Sequence, residues 1–165
     1  IRGLSFAIVH STTIALPAWR VACGSHGLNE RLLPRDVATR WNSTYDMLVA
    51  AKKYSAVVDL ITADKALKLR KFELSDAQWA IVDDLVYIFK DATLLFSRDN
   101  ISTIAQVIPM MDILDDFFTE SPKRQVHPAV KCALGLAQST VNRYYSRTDD
   151  SHVYRIAMSR SFLSI

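Results

Sequence analysis

The chain has 165 residues, a formal net charge of +3 and a pI near 8.9, and half of its residues are hydrophobic. This length and composition exclude a disordered or fibrous chain and are typical of a globular domain with an apolar core. Four glycines and five prolines leave few tight turns, which favours long helices over a sandwich or barrel. The mildly basic charge is compatible with a phosphate-bearing partner but does not establish one.

The N-terminal part, residues 1–29, is predicted to contain short helices, with a strand as the alternative in the first dozen residues. Pro17 and Gly24 flank an apolar run and favour a helix with proline in its first turn and glycine past its end. The apolar stretch at the start is interrupted by polar residues such as His10, and no long uncharged span follows, so no membrane anchor is indicated. Because the sequence begins without methionine, we expect an N-terminus cut from a longer protein.

The middle of the chain is predicted to be a loop followed by one long amphipathic helix. Residues 25–40 contain Pro34 and form the loop. The run Asn42-Ser43-Thr44 supplies capping residues. Apolar or small residues then recur every three or four positions, at Tyr45, Leu48, Ala51, Ser55, Val58 and Ile61. The basic residues 65–72 either continue this helix or form a connector with a solvated face.

Further helices follow. Ser75 is predicted to cap a helix that carries two apolar stripes as far as Phe96, so this helix is expected to be central. A helix from Ser102 or Thr103 contains Pro109, which is expected to bend it. The side chains predicted to point inward from this helix are Ile104, Val107, Ile108, Met111, Leu114 and Phe118.

The last two predicted helices complete a mainly α chain. One begins at Pro128 and ends in a tyrosine-rich run, and the other covers residues 153–158. The side chains predicted to point inward from the helix that begins at Pro128 are Val130, Ala133, Leu134, Ala137, Val141 and Tyr144. No convincing strand is predicted after the first dozen residues.

Little in the sequence points to catalysis. Cys23 and Cys132 are far apart and are predicted to be buried free thiols, while the four histidines are too scattered to bind a metal. Adjacent carboxylates point about 100° apart on a helix, so solvation is expected for each acidic pair. These pairs are Asp83-Asp84, Asp115-Asp116 and Asp149-Asp150. Nucleotide-binding, nucleophile-elbow and zinc-protease motifs are absent, so we expect no catalytic residues, no metal and no cofactor.

Four segments, taken in order, resemble the hAT superfamily of DNA transposases. Residues 36–48, DVATRWNSTYDML, resemble a signature of that family, and residues 74–97, LSDAQWAIVDDLVYIFKDATLLFS, resemble its tryptophan-led helix. Residues 101–114, ISTIAQVIPMMDIL, are similar to the segment that follows. Residues 142–158, NRYYSRTDDSHVYRIAM, resemble the tyrosine-rich stretch before the L-H-P motif. As a set, these segments are specific.

The resemblance implies a cut-and-paste enzyme with an RNase H-like core, three acidic metal ligands, a BED zinc finger and a dimerisation region. It places residues 30–158 in the helical insertion domain of the core, after the second catalytic aspartate and before the glutamate. Residues 1–29 are then a remnant of the core, and residues 159–165, SRSFLSI, a divergent tail. We therefore expect a catalytically incomplete fragment, located in the nucleus, whose self-association needs the missing C-terminal region.

Two interpretations of Arg40 and Trp41 remain open. By resemblance they bind DNA at transposon ends, where the tryptophan stacks on a displaced base and the arginine holds a phosphate. From the residues alone, the preferred interpretation of Trp41 is a core residue at the entry of a helix, because aromatic residues dominate cores; Trp19 and Trp79 are likewise expected to be core residues. The corresponding functions are a DNA-binding helical domain or, alternatively, a helical protein-interaction or structural module that does not bind nucleic acid.

Overall fold

A computed structural model describes residues 1–37, 42–96, 103–119 and 125–162, and the regular elements in these ranges are all helical. This confirms the predicted mainly α fold. Two short 3-10 turns, Lys65–Leu67 and Arg70–Phe72, separate α4 from α5. The α-helices are α1 Arg2–His10, α2 Ala15–Ser25, α3 Ser43–Lys53, α4 Ser55–Ala63, α5 Asp76–Phe96, α6 Thr103–Thr119, α7 Pro128–Thr148 and α8 His152–Phe162.

The chain divides into two compact units, Ile1–Thr93 and Leu94–Ile165, which are described separately. None of the helices in the described residues is both long enough and apolar enough to span a membrane. The domain limits predicted from the sequence, at residues 29/30 and 158/159, stay a prediction.

The start of the first unit is helical, so the alternative of a strand in the first dozen residues is wrong. Helix α1 buries Leu4 and Ile8. Helix α2 includes Gly24 and ends beyond it, because the residue with the left-handed backbone is Gly27, at φ 65°. The Gly27 N–H donates to Gly24 O at 3.1 Å and the Leu28 N–H donates to Cys23 O at 2.9 Å. This pair of bonds is a Schellman motif, which satisfies the last carbonyls of the helix.

The long helix predicted after Asn42 is two helices, α3 and α4, that meet at Tyr54. The Tyr54 backbone leaves helical geometry, at φ −101° and ψ 18°. Its side chain is only 5% exposed, and its hydroxyl donates to Asn29 O at 2.8 Å. The ring centroid lies 5.5 Å from that of Trp19. The break therefore accompanies the burial of the Tyr54 ring against α2 and the following loop.

Helix α4, rather than the predicted α5, makes the most extensive contacts in the first unit. It packs against α2, α3 and both 3-10 turns, and it buries Val57, Val58 and Ile61. Helix α5 contributes Trp79 and Val82 to the same core. Because α5 has two apolar stripes, the sequence pattern indicates that it is covered on several sides but not which element lies at the centre.

The predicted cap of α5 is confirmed and is part of a larger motif. The Gln78 N–H donates to the Ser75 hydroxyl at 3.3 Å, and the Ser75 N–H donates to Gln78 Oε1 at 2.9 Å. This reciprocal pair is a capping box, which satisfies two amides at the start of the helix. The basic residues before it form the connector with the two 3-10 turns, so the alternative of a continued helix is wrong.

In the second unit, α6 packs against both α7 and α8. Helix α7 begins at Pro128 as predicted and buries Val130 and Leu134. Three side chains predicted to point inward are exposed instead: Ile104 at 47%, Tyr144 at 49%, and Ala133. Helix α6 is apolar around most of its surface, so the spacing of its apolar residues does not determine which face is buried.

Candidate nucleic-acid interface

The two residues predicted to bind DNA, Arg40 and Trp41, lie outside the described residues, as do the two before them. The chain on either side of this segment is described. Before it lies an irregular stretch that ends at Val37, and after it α3 begins at Ser43.

The stretch that leads to the candidate site is fixed to the core by three side-chain hydrogen bonds. Tyr54 donates to Asn29 O at 2.8 Å, the Trp19 indole N–H donates to Arg31 O at 3.1 Å, and the Ser5 hydroxyl donates to Leu33 O at 2.9 Å. Tyr54 lies at the junction of α3 and α4, Trp19 lies in α2, and Ser5 lies in α1. A chain segment without its own helical hydrogen bonds is thereby held at every second residue, 29, 31 and 33.

Trp19 is completely buried and Trp79 is 8% exposed, which confirms both as core residues. Each indole N–H also has a defined acceptor, since Trp79 donates to Asp59 Oδ1 at 2.9 Å. A buried indole needs such a partner. The sequence analysis identified these rings as core but did not foresee that Trp19 positions the loop before the candidate site.

Ser43 joins the two ends of the segment that contains Arg40 and Trp41. Its hydroxyl accepts from the Val37 N–H at 2.8 Å. The same oxygen lies 2.9 Å from both Asp36 Oδ1 and Val37 O, and its proton is donated to one of the two. The run Asn42-Ser43-Thr44 was predicted to supply capping residues, and α3 does begin there, with Asn42 at the N-cap position. No side-chain capping bond forms at that position, and the Ser43 hydroxyl is directed toward residues 36 and 37.

Asp36 is the acceptor at the centre of this arrangement. Its side chain is 6% exposed and also accepts from the Thr44 hydroxyl at 2.7 Å and from the Arg2 guanidinium. The bonds from Thr44 and Ser43, together with the positive charge of Arg2, hold the pKa of Asp36 below its ordinary value. The carboxylate is therefore charged at neutral pH and connects α1 with the start of α3.

Sequence reasoning quoted Asp36 only as part of the family signature and missed its role. The signal available was an aspartate seven and eight residues before two hydroxyl residues at the start of a helix. Such a spacing becomes informative only once the structure shows that Ser43 and Thr44 lie next to Asp36.

A surface pocket of about 410 Å³ lies beside Asp36. Helix α1 and the end of the irregular stretch form its walls. The lining residues are Arg2, Phe6, Arg35, Asp36 and Val37.

The basic side chains near the site are exposed, but several are already engaged. Lys52 pairs with Asp83 at 2.5 Å, and Arg70 pairs with Glu73 at 3.4 Å. Arg35 has no ion pair within the described part of the chain, and it is the cation next to the site in sequence. The other exposed basic residues of this unit without a described ion pair include Arg20, Arg31, Lys53 and Lys68.

Within the described ranges, no group of three histidine, cysteine or acidic side chains is arranged to hold a metal. One acidic pair differs from its predicted solvation, since Asp84 is 4% exposed. The thiols also differ from prediction: Cys23 is buried but Cys132 is exposed. Cys132 lies on the exposed face of α7, whereas Val130 and Leu134 of the same helix are buried.

Comparison with known families identified one similarity. Residues 20–88 match the family described as the ZBED1 RNase-like helical domain, which is less than half of the chain. Neither a curated protein nor a solved structure matches the chain. The matched segment begins in α2, includes the candidate site and ends in α5, so it lies within the first unit. Over these residues the chain is similar to the helical domain of a ZBED-type, hAT-related transposase-like family.

Proposed function

We propose that the chain is a DNA-binding helical domain of a hAT-type transposase, that it acts on transposon ends in the nucleus, and that it has no catalytic activity of its own. The observation that supports this proposal is the match of residues 20–88 to the ZBED1 RNase-like helical family. The matched segment contains Arg40 and Trp41, which the resemblance to hAT transposases assigns to DNA.

The geometry around the segment suits this role. The hydrogen bonds of Ser43 and Asp36 fix the chain on both sides of Arg40 and Trp41. A contact group on a fixed scaffold loses less conformational entropy on binding than one on a free loop. In the proposed complex the Trp41 indole stacks on an unpaired base and the Arg40 guanidinium holds a neighbouring phosphate.

Substitution of the two residues tests the proposal. We expect Trp41→Ala to weaken binding to a hairpin or unpaired DNA end by ~1–3 kcal/mol, the value of one base–aromatic stack, with little change in melting temperature. We expect Arg40→Ala to reduce the slope of log K against log salt concentration by about 1, because one phosphate contact is lost. Fluorescence anisotropy titrations at several salt concentrations, with thermal melts of each variant, measure both effects.

Two variants serve as controls. Trp79→Ala removes a core indole and should cost ~3–5 kcal/mol of folding stability. Arg31→Ala removes an exposed guanidinium. Trp19 bonds only the backbone carbonyl of Arg31, so the substitution leaves that hydrogen bond intact. A large drop in melting temperature for Trp41→Ala, with unchanged DNA affinity, would assign Trp41 to the core. No DNA binding by the unsubstituted chain would favour the alternative of a protein-interaction module.

A further inference from the structure

The pocket beside Asp36 has features of a binding site that the predicted pair, Arg40 and Trp41, does not account for. Its volume of about 410 Å³ lies within the range of roughly 300–1,000 Å³ that is usual for small-molecule sites. Two of its walls are fixed to each other, since Ser5 of α1 donates to Leu33 O and Arg2 of α1 bonds Asp36. The two segments that line the pocket are therefore joined to each other at both Leu33 and Asp36.

One side of the pocket is apolar and aromatic. Phe6 is 57% exposed and Val37 is 40% exposed, although both are large hydrophobic residues. The Phe6 ring also contacts the His10 ring, with centroids 3.9 Å apart and planes tilted by 45°. The contact with His10 leaves more than half of Phe6 accessible, and an exposed aromatic ring in a concave site is suited to a flat ligand.

The other side of the pocket is positively charged. The single negative charge, on Asp36, is 6% exposed and is already bonded by Arg2, Ser43 and Thr44. The Arg2 side chain remains 73% exposed despite that bond. Arg35 adds a second guanidinium, with no ion pair in the described ranges. The accessible charge at the pocket is therefore cationic, which suits a phosphate.

We propose that this pocket holds one unpaired nucleotide of DNA, with its base against Phe6 and its phosphate beside Arg35 and Arg2. This inference rests on the proposed DNA-binding function and extends it to a second contact point. Trp41 follows Val37 by four residues, so the chain keeps the two within about 14 Å at ~3.3–3.6 Å per residue. A single DNA strand can therefore reach both the pocket and Trp41.

The test compares two probes with the full chain. One is a fluorescein-labelled duplex with an unpaired thymidine tail, and the other is the same duplex with blunt ends. We expect Phe6→Ala to lower the affinity for the tailed duplex at least about fivefold, as for loss of one base stack, and to leave the blunt duplex nearly unaffected. Phe6→Trp keeps an aromatic face and should retain the affinity. Arg35→Ala should weaken binding of the tailed duplex and flatten its salt dependence.

Matched controls separate the pocket from general surface effects. Ile14→Ala removes an apolar side chain that is 58% exposed in the same unit, and Arg31→Ala removes an exposed guanidinium outside the pocket lining. Neither should change the preference for the tailed duplex. If Phe6→Ala melts at a lower temperature than the unsubstituted chain, Phe6→Leu, which keeps the bulk but not the ring, replaces it in the comparison.

Four results would overturn the assignment. Unchanged affinity of Phe6→Ala for the tailed duplex, with a loss for Trp41→Ala, would reject the pocket and leave the proposed function standing. Equal losses on tailed and blunt duplexes would assign the pocket to the DNA backbone rather than to a base. Displacement of the tailed duplex by polyglutamate, in a manner that depends on Phe6, would indicate an acidic peptide as the ligand. If the unsubstituted chain binds neither duplex, the pocket assignment and the proposed function both fail.

Discussion

At the scale of single residues, Asp36 links three parts of the first unit through one carboxylate. Its pKa is held below the ordinary value of ~3.9 by Thr44, Ser43 and Arg2. A lowered pKa in the folded state means that this stabilisation is fully present above the ordinary pKa and is lost as the pH falls through the lower, folded-state pKa. The contribution of Asp36 is therefore present at neutral pH and is lost as the pH falls below the ordinary pKa of aspartate.

We predict that Asp36→Asn melts at a lower temperature than the unsubstituted chain at pH 7, because the amide cannot replace a carboxylate that accepts from two hydroxyls and a guanidinium. The difference between the two proteins should shrink as the pH is lowered past the ordinary pKa of aspartate. Thermal unfolding followed by circular dichroism over an acid pH series measures it. Asp46→Asn, at an exposed position in the first turn of α3, is the control. A constant difference at every pH would contradict the assigned role of Asp36.

The two cysteines provide a second test at this scale. Burial, with a smaller effect from the charge of Glu30, raises the pKa of the Cys23 thiol, whereas Cys132 is exposed. Since thiolate and access both control reactivity, we expect a native sample to react with one equivalent of a thiol reagent such as DTNB, and with two after denaturation. Cys132→Ser should abolish the native reaction, while Cys23→Ser should not. Rapid reaction of both thiols in the folded chain would contradict the burial of α2.

At the scale of helices, Tyr54 marks the junction of α3 and α4 and also holds the loop at Asn29. We predict that Tyr54→Phe lowers the free energy of unfolding by about 1 kcal/mol, because the hydrogen bond is lost while the ring stays buried. Tyr54→Ala should cost several times more, on the order of 3–5 kcal/mol, through the cavity left by the ring. Chemical denaturation measures both changes.

Tyr45→Phe is the matched control for this measurement, because its hydroxyl makes no hydrogen bond within the described residues and the substitution should be nearly neutral. An equal cost for Tyr45→Phe and Tyr54→Phe would show that the bond from Tyr54 to Asn29 O does not hold the loop.

The helices themselves were largely predictable from the sequence, and their arrangement was not. Capping residues and prolines identified the starts near Ser75 and Pro128, since these depend on hydrogen bonds within a few residues. The break at Tyr54 was missed because the apolar period of three to four residues continues across it. The break coincides with a bond from Tyr54 to Asn29 O, 25 residues away, which no local pattern contains.

The candidate site was likewise predictable only in part. The family resemblance indicated Arg40 and Trp41, and the position of both stays a prediction because they lie outside the described residues. The scaffold around them depends on contacts between distant residues, such as the bond from Arg2 to Asp36 and that from Trp19 to Arg31 O. The pocket lined by Phe6 and Arg35 arises in the same way, from two segments about 30 residues apart.

At the scale of the whole molecule, the residues proposed to contact DNA all lie in the first unit. The family match ends at residue 88, and the first unit ends at Thr93. The family match does not extend into the second unit. The proposed DNA contacts therefore do not require any property of residues 94–165.

The last prediction concerns catalysis by the chain as it stands. Strand cleavage of the transposase type needs carboxylates that hold metal ions against the attacking and leaving oxygens. The resemblance places residues 30–158 between the second catalytic aspartate and the glutamate, so that the proposed domain binds DNA without cutting it. We expect purified protein to leave a labelled transposon-end duplex intact with Mg²⁺ or Mn²⁺, as it does with EDTA, in samples whose DNA binding is confirmed by anisotropy. Metal-dependent nicking would overturn this, provided that it is lost in a variant such as Asp115→Asn but kept in Gln138→Ala, which removes the neighbour that donates to Asp115 without removing a carboxylate.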